Sequence, residues 1–247
     1  MTKGEKLIFG MKKTQDRLLE LIFPPRCPSC DRVTKTAGKV CEECVGKLCY
    51  VKEAHCMRCG KPMIGDEDGE FCEDCKKHKH LFTRGRSLYE YASIRDSVYR
   101  FKYSGRKEYA DFYSREIALH LGREIRSWEC DGIIPVPMYR GKERVRGYNQ
   151  ARWLADALGE ELGIKVYPDM VERIVNTRPM KELNAAQRQI NLKNAFIVRR
   201  YDVKLCRALI VDDIYTTGST IDHVAAALMA AGVKEVCFVT LATGTGV

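Results

Sequence analysis

Hydrophobic and polar residues follow two different patterns along this chain of 247 residues, and the change falls near Gly85. Beyond that point, short continuous apolar runs predict buried strands at 87–91, 132–137, 195–198, 208–212 and 236–241. Between these runs, apolar residues recur at helical spacing, which predicts helices at 109–126, at about 149–162 and at about 221–228. Apolar strands that alternate with helices are typical of a parallel sheet covered on both faces. The C-terminal part is therefore predicted to have an α/β fold.

The segment 26–80 has too few apolar residues to build a hydrophobic core. The chain has twelve cysteines, and eight of them form four Cys-x-x-Cys pairs in this segment: Cys27/Cys30, Cys41/Cys44, Cys56/Cys59 and Cys72/Cys75. One such pair places two thiolates on a single turn, and two turns complete a tetrahedral four-thiolate site of the kind that binds zinc. The pairs therefore predict two structural Zn²⁺ ions. Because metal would order this segment, its stability is predicted to be separate from that of the C-terminal part.

The spacing of the pairs leaves open which pair shares a metal with which. Sequential pairing, first with second and third with fourth, is the simpler arrangement, and a crossed arrangement is the alternative. A disulfide framework is disfavoured because the N-terminal residues do not form a signal peptide, and in a reducing cytosol such pairs bind metal. Closed four-thiolate sites have no open coordination position, so we expect no chemistry at either zinc.

The remaining cysteines fit no pair. Cys49 is interpreted as a spare thiol, whereas Cys130, Cys206 and Cys237 stand among apolar neighbours and are predicted to be small core residues. His80 lies near the last pair and could replace a ligand, but eight cysteines already complete both sites.

Residues 1–25 are predicted to contain a short helix that ends at two prolines. The apolar side of this helix carries Leu18, Leu19, Ile22 and Phe23. Packing against the cysteine-rich segment is favoured for this side, and binding to a membrane surface is the alternative. No apolar run reaches eighteen residues, so the sequence predicts no membrane span and a cytoplasmic protein.

Two adjacent carboxylates, Asp212 and Asp213, stand where the apolar run 208–211 ends. The turn that then opens the next helix contains Thr216, Thr217, Gly218, Ser219 and Thr220. Free N–H groups and the positive dipole end at a helix start favour a phosphate, and a glycine lets the backbone close around it. The carboxylates can accept hydrogen bonds from sugar hydroxyls or hold a hydrated cation. The segment therefore predicts a sugar-phosphate site, and the alternative is an acidic strand end with a polar helix cap.

A basic loop follows the strand at 132–137 and runs from residue 138 to residue 150. Its four cations lie within seven residues: Arg140, Lys142, Arg144 and Arg146. Arginine offers bidentate geometry to phosphate oxygens, and ligands of parallel sheets bind beyond the carboxyl ends of the strands. The loop is interpreted as a diphosphate site, with Lys142, Arg144 and Arg146 as its candidate residues. A solvated positive loop or an RNA contact is the alternative.

Four blocks of the sequence resemble known families. The segment VDDIYTTGST at 211–220 resembles the phosphoribosyl-diphosphate (PRPP) signature of type I phosphoribosyltransferases, with Tyr215 where a small residue is commoner. PVP at 135–137 followed by RVRGYNQA at 144–151, and FKYSGR at 101–106, resemble the ComF (ComFC-type) competence family. A fourth block agrees with that family at Arg173, Thr177, Leu183, Arg188, Asn191, Ala195 and Phe196. Met180 departs from it, because family members usually carry glutamine there.

The resemblance covers nearly the whole chain and implies a domain organisation. A double zinc ribbon is expected at 26–80, after the short helix at 1–25, and a type I phosphoribosyltransferase domain at 85–247. The resemblance also implies a flexible loop at 176–194, with Thr177 and Arg188 among its residues, that closes over the bound sugar phosphate.

Roles for the site residues follow from the same resemblance. Asp212 and Asp213 are expected to act as the catalytic pair on ribose, and the residues from Thr216 to Thr220 to hold the 5′-phosphate of PRPP. Mg²⁺ and the cations of the basic loop are expected to take the diphosphate. No residue pattern identifies the acceptor of the phosphoribosyl group.

The family resemblance implies a role in natural transformation, with imported single-stranded DNA and DNA-uptake proteins as partners. A net charge of +9 is compatible with nucleic-acid binding, although the charge is spread along the chain. Aromatic residues beside Lys102, namely Phe101 and Tyr103, and Tyr139 beside Arg140 are candidate contacts for single-stranded DNA, with Lys102 and Arg106 as the cations. The alternative, which is favoured, is that these residues belong to the core or to the diphosphate site. The alternative function is a non-catalytic, PRPP-sensing module that binds nucleic acid or protein.

Overall fold

The computed structural model describes residues 24–34, 38–52, 54–63, 69–175, 195–199 and 203–244. The helices in these ranges are α1 Glu73–Lys77, α2 Tyr91–Tyr103, α3 Tyr109–Ser127, α4 Arg140–Arg146, α5 Gln150–Leu162 and α6 Ser219–Ala230. The strands are β1 Arg84–Glu90, β2 Gly132–Pro135, β3 Val171–Arg173, β4 Phe196–Val198, β5 Arg207–Tyr215 and β6 Glu235–Thr243. A short 3₁₀ turn spans Glu42–Cys44. In the described part of the chain, no helix has the length and apolar character needed to cross a membrane.

Four of the strands form one sheet in the order β1-β6-β5-β2, and all three pairings are parallel. The long strands β5 and β6 occupy the centre of the sheet and are paired from Arg207 opposite Glu235 to Tyr215 opposite Thr243. The predicted α/β class with a parallel sheet is confirmed.

The sheet is covered on both faces, as continuous apolar strands require. Successive residues of β5 enter different hydrophobic clusters, because side chains of a strand alternate between its two faces. Leu209 and Val211 pack with residues of α2, α3 and α5, while Ala208 and Ile210 pack with residues of α6. The core therefore has two halves, one on each side of the central strands.

The predicted strand at 195–198 does exist, but it does not belong to the parallel sheet. Its residues Phe196–Val198 pair antiparallel with Val171–Arg173, a strand that the sequence did not predict, in a separate two-stranded sheet. Only Phe196 of the three is buried, and Ile197 is exposed. A strand that is half exposed can lie at the edge of the molecule, and the assignment to the central sheet was wrong.

The segment expected to be a basic loop contains a helix instead. Residues Arg140–Arg146 form α4, and the helix ends at Gly147, whose φ of 85° is left-handed and whose N–H donates to Glu143 O at 2.7 Å. Arginine, lysine and glutamate are good helix formers, and glycine is the common residue just beyond a helix end. The cations of this segment are therefore presented from a helix.

The second group of four cysteines is part of the main hydrophobic core. Cys56, Cys59, Cys72 and Cys75 belong to the same buried cluster as Phe82, Tyr215 and Phe238 on one face of the sheet. Cys27 and Cys44 of the first group are buried as well, but lie outside both core clusters. The expectation that the whole cysteine segment is stabilised separately from the sheet was therefore wrong for its second half.

The unpaired cysteines differ in their surroundings. Cys237 is buried, as predicted, and Cys130 is half-buried. Cys49 and Cys206 are exposed, so the prediction that Cys206 is a core residue was wrong.

Candidate functional site

The eight paired cysteines form two compact sulfur clusters. The Sγ atoms of Cys27, Cys30, Cys41 and Cys44 all lie within 4.8 Å of one another, and the same holds for those of Cys56, Cys59, Cys72 and Cys75. The sulfur atoms of Cys30 and Cys41 are 3.7 Å apart, and those of Cys59 and Cys72 are 3.6 Å apart. A tetrahedral zinc site with Zn–S bonds of about 2.3 Å separates its sulfurs by about 3.8 Å. Both clusters fit structural Zn²⁺, and the prediction of sequential pairing is confirmed.

The first cluster is attached to helix α3 and the turn before it through Asp31. Tyr109 donates a hydrogen bond to Asp31 Oδ1 at 2.6 Å, and Arg106 Nε lies 2.8 Å from the same oxygen. Burial acts to raise the pKa of Asp31, but these two partners outweigh it, so the pKa lies below its usual value. Asp31 lies directly after Cys30, and the ion pair therefore fixes the turn that carries the first two thiolates.

The second cluster lies beneath the end of strand β5. Tyr215 stacks on Phe238 with ring centroids 4.8 Å apart, and Lys61 Nζ lies 5.7 Å from the centroid of the Tyr215 ring. Burial raises the pKa of the Tyr215 hydroxyl, and the nearby Cys59 and Cys75 sulfurs raise it further. The large residue in the PRPP-like segment is thus the side chain that connects this segment to the second cysteine cluster.

The acidic pair lies in the second half of β5, because this strand continues three residues beyond the predicted end at Asp212. The N–H of Asp213 donates to Asp212 Oδ1 at 2.8 Å, and Lys102 Nζ from α2 lies 3.0 Å from Asp213 Oδ2. Burial raises the pKa of Asp212 to about 7 and the charge of Asp213 adds to the rise, while Lys102 and Arg173 oppose it. One carboxyl therefore carries a proton near neutral pH, and the other is neutralised by a lysine.

A tight turn connects β5 to α6, as predicted. Gly218 has a φ of 76° and precedes the first helical residue, Ser219. A Cβ at Gly218 would lie 2.8 Å from Tyr215 Oη and 2.9 Å from His80 Cε1, so only glycine fits this position without rearrangement. Thr216 and Thr217 are exposed. The turn thus presents hydroxyl groups and the N-terminal end of α6 to solvent at the carboxyl end of the central strand.

His80 and Leu81, which follow the second cysteine cluster in the chain, contact the first turn of α6. His80 Nδ1 lies 2.7 Å from Asp222 Oδ2, and the N–H of Leu81 donates to Asp222 Oδ1 at 2.8 Å. The His80 side chain is only 4% exposed and stacks on Phe82 with ring centroids 4.5 Å apart. Both oxygens of Asp222 are therefore occupied, and the first turn of α6 is fixed to the cysteine-rich segment.

Three cations lie near one another, and one of them, Arg173, lies beside Asp212. Burial lowers the pKa of Lys142, and the charges of Arg173 and Arg146 lower it further. Burial also lowers the pKa of Arg173, which is offset in part by the charge of Asp212. Arg144 is exposed, and no contact within the described ranges joins it to the other two candidates of the basic segment. The structure thus brings Lys142 and Arg146 together with Arg173, a residue of the fourth ComF-like block for which no binding role was predicted.

Both the cysteine-rich part and the α/β part of the chain are similar to known proteins. Residues 18–76 match the family model described as a double zinc ribbon domain. Over 213 residues the chain is 30% identical to competence protein F of Haemophilus influenzae, which covers 79% of this chain and 93% of that protein.

The chain belongs to the ComF competence family. It is also 26% identical over 207 residues to competence protein ComFC of Streptococcus pneumoniae, covering 80% of this chain and 84% of that protein. Identity to the DNA utilization protein YhgH of Escherichia coli is 28% over 214 residues, which covers 85% of this chain and 86% of that protein. The family predicted from the sequence is confirmed.

One ComF-like block, at 101–106, has a different role from the candidate DNA contact. Phe101 is fully buried, Lys102 pairs with Asp213 and Arg106 pairs with Asp31. Phe101 therefore lies in the core, as the favoured alternative expected, and the charges of Lys102 and Arg106 are paired within the protein. From the sequence, Lys102 could equally contact DNA or pair with a carboxylate of the protein. The long-range contact with Asp213 distinguishes these two roles.

A second ComF-like block, RVRGYNQA, holds the end of α2 in place. The Tyr148 hydroxyl donates to Phe101 O, and Gln150 Nε2 donates to Lys102 O at 3.3 Å. The guanidinium of Arg146 lies 4.7 Å from the centroid of the Tyr103 ring. Three consecutive residues of α2 are thus contacted by the basic segment, which positions Lys102 relative to the acidic pair.

Several predicted features fall outside the described residues. Thr177, Met180 and Arg188, together with the proposed flexible loop 176–194, lie there, as does most of the predicted helix within 1–25. Their structure is not described, and these assignments stay predictions.

Proposed function

We propose that this ComF-family protein binds PRPP and transfers its phosphoribosyl group, in support of natural transformation through the handling of single-stranded DNA. The observation that carries the proposal is the arrangement at the carboxyl end of β5. Asp212 and Asp213, a glycine turn and the start of α6 follow one another directly, and Arg173, one of three neighbouring cations, lies beside Asp212. In parallel sheets this edge is where ligands bind.

The turn is suited to the 5′-phosphate. A phosphate at the start of α6 would meet unpaired backbone N–H groups and the positive end of the helix dipole. Thr216, Thr217, Ser219 and Thr220 would donate hydroxyl hydrogen bonds, and Gly218 lets the backbone approach closely. The contact of His80 Nδ1 with Asp222 supports this assignment, because it fixes the helix start without blocking the exposed side of the turn.

The acidic pair is suited to ribose. Asp212 and Asp213 would accept hydrogen bonds from the sugar hydroxyls, and their carboxylate oxygens are the hard donors that fit Mg²⁺. The metal, when bound with PRPP, would neutralise negative charge on the diphosphate. As the bond from C1 to the diphosphate breaks, positive charge develops on the ring, which the carboxylates would stabilise.

The cations are suited to the leaving diphosphate. Lys142 and Arg146 of α4 lie near Arg173, which lies beside Asp212, and Arg144 is exposed on the same helix. Burial lowers the pKa of Lys142 and the charges of Arg173 and Arg146 lower it further, and a bound diphosphate would offset that repulsion. No nucleophilic histidine or cysteine is needed for this chemistry.

A binding experiment tests the proposed site. In calorimetry with PRPP and Mg²⁺, Asp212→Asn combined with Asp213→Asn should weaken binding at least about tenfold, because charge-assisted hydrogen bonds contribute roughly 1.5–3 kcal/mol each. Asp96→Asn is the matched control, since Asp96 is exposed on α2 away from the acidic pair. Equal affinity of the double variant and the wild type, with the fold intact by circular dichroism, would refute the assignment.

A second candidate function is a PRPP-sensing protein without transferase activity. The names of its relatives refer to competence and DNA utilization, and none of the three quoted above refers to a transfer reaction. The cavity beside Arg173 has a volume of about 100 Å³, and the charges that line it are partly paired, with Glu172 bonded to Arg140 and Arg199. A small cavity with internal ion pairs is a poor match to a large acceptor base.

Diphosphate release separates the two candidates. The wild type is incubated with PRPP and Mg²⁺ alone, with purine and pyrimidine bases, with simple amines, and with single-stranded oligonucleotides. Release that depends on one acceptor and disappears in the Asp212→Asn/Asp213→Asn variant supports the transferase. PRPP binding without release under any of these conditions supports the sensor.

A further inference from the structure

The exposed aromatic side chains of the described residues lie on one surface. They are Tyr99, Tyr103 and Trp153, which are 61%, 59% and 43% exposed. Aromatic side chains of this size are normally buried, because each removes a large apolar area from water. Three of them together on a surface indicate that they serve a ligand.

Basic groups lie between these rings. Tyr99 and Tyr103 are on successive turns of α2 with ring centroids 5.0 Å apart, and Arg146 lies 4.7 Å from the centroid of Tyr103. Lys107 Nζ lies 5.0 Å from the centroid of the Trp153 ring. We call these five residues the aromatic–basic surface. Two tyrosines lie side by side on it, and a cation contacts Tyr103 and another contacts Trp153.

The parts of this surface are held together by hydrogen bonds already described. The bonds from Tyr148 to Phe101 O and from Gln150 to Lys102 O join the end of α2 to the segment that carries Arg146 and leads into α5, the helix of Trp153. Lys107 also lies 5.3 Å from the centroid of the Tyr148 ring. The surface is therefore a continuous part of the fold.

The charge of the surface is positive. Two acidic residues near it are paired with other cations, since Asp96 Oδ1 lies 3.6 Å from Arg95 Nε and Glu108 Oε1 lies 3.6 Å from Arg106 Nη1. Lys107 and Arg146 contact rings and, in Arg146, the neutral amide of Gln150. Their charges remain available to an anionic ligand.

We propose that the aromatic–basic surface binds single-stranded nucleic acid, with bases stacked on Tyr99 and Tyr103 and the backbone phosphates near Lys107 and Arg146. Stacking platforms flanked by cations are the physical basis of binding to single strands, and each stacked base contributes about 1–3 kcal/mol. A duplex cannot use such a platform, because its bases are stacked on one another. A protein partner would need no cations between the rings.

This inference deepens the proposed function, since it gives a location to the DNA that the proposal requires. Arg146 belongs both to this surface and to the group of cations that includes Arg173, and Lys102, next to Tyr103, pairs with Asp213. A nucleic-acid strand bound on Tyr99 and Tyr103 would therefore reach the border of the proposed PRPP site.

Fluorescence anisotropy with two labelled probes tests the inference. One probe is a single-stranded oligothymidylate, and the other is an abasic oligonucleotide of the same length and charge. The wild type should bind the thymidylate at least about tenfold more tightly, because only this probe can stack. Tyr99→Ala combined with Tyr103→Ala should abolish that difference, whereas Tyr99→Phe combined with Tyr103→Phe should preserve it.

Leu119→Ala is the matched control, because Leu119 is exposed on α3 and is not part of the aromatic–basic surface. Equal binding of the two probes by the wild type would overturn the inference, as would an unchanged preference in the alanine variant. Binding of a protein through the tyrosines, with no binding of either probe at low salt, would also overturn it. PRPP calorimetry is run in parallel, so a wild type that binds thymidylate but not PRPP refutes the proposed PRPP site and leaves this inference standing.

Discussion

Lys102 and Asp213 form an ion pair, with 3.0 Å between Nζ and Oδ2, although they are 111 residues apart in the chain. The two side chains are only 19% and 16% exposed. The pair joins the end of α2 to the central strand and neutralises one member of the acidic pair. It also brings Lys102 of α2 into contact with the proposed ribose site. The aromatic–basic surface and the proposed PRPP site therefore share helix α2.

Replacement of Lys102 should lower the free energy of unfolding. Lys102→Met leaves the carboxylate of Asp213 buried beside Asp212 without its partner, and we expect the free energy of unfolding to fall by about 3 kcal/mol. Adding Asp213→Asn to this variant should recover part of the loss, because the unpaired charge is removed. Denaturant unfolding measures both effects. Lys107→Met, which removes a lysine that contacts only rings, is the control and should change stability much less.

The stability of the protein should depend on pH through Asp212. Its pKa is about 7 in the folded protein, whereas an aspartate in the unfolded chain has its ordinary pKa of 3.8. Between these values the folded state binds a proton that the unfolded chain does not, so this carboxyl stabilises the fold most below pH 3.8, and the contribution is lost as the pH rises to about 7.

Asp212→Asn removes this titration, so its stability relative to the wild type should rise between about pH 4 and pH 7 and stay constant above that. Chemical unfolding at a series of pH values measures the difference. A difference that does not change with pH, or that changes in the same way in the Asp96→Asn control, contradicts the assignment of a raised pKa to Asp212.

Gly218 should tolerate no side chain. Gly218→Ala adds a Cβ 2.8 Å from Tyr215 Oη, in a left-handed conformation that costs about 1–2 kcal/mol for alanine. The variant should be less stable and should bind PRPP more weakly, because the turn must shift. Gly163→Ala is the control, since Gly163 has a φ of 70° and open space around it. The two variants should share the backbone cost, and only Gly218→Ala should impair PRPP binding in calorimetry.

The two cysteine clusters should respond differently to the loss of one ligand. Metal analysis of the wild type should find about two zinc ions per chain. Cys59→Ser should increase amide hydrogen exchange in β5 and β6, because its cluster packs with Phe82 and Phe238 in the sheet's core. Cys30→Ser should increase exchange near residues 24–34 and 38–52 and leave the sheet protected, because no residue of its cluster belongs to either core cluster. Equal effects on the sheet would mean that both clusters support it alike.

The local sequence was sufficient to determine the elements whose signals lie close together in the chain. Cysteines spaced for tight turns predicted both sulfur clusters, since a Cys-x-x-Cys turn needs only its own residues to bring two thiolates together. Continuous apolar runs predicted the parallel sheet, because strands buried on both faces have no polar positions. The acidic pair, the glycine turn and the following helix were predicted for the same reason, as they are consecutive in sequence.

Tertiary structure alone decided which distant residues meet. The pairing of Lys102 with Asp213, of His80 with Asp222, and the contact of Tyr215 with the second cysteine cluster depend on how helices and strands pack. Residue type alone could not predict these contacts. A lysine side chain can face either solvent or a buried carboxylate, and the packing around it decides which. The same packing exposed Tyr99 and buried Phe101, two residues apart on one helix, and so created a surface of which the sequence had marked only Tyr103 as a candidate DNA contact.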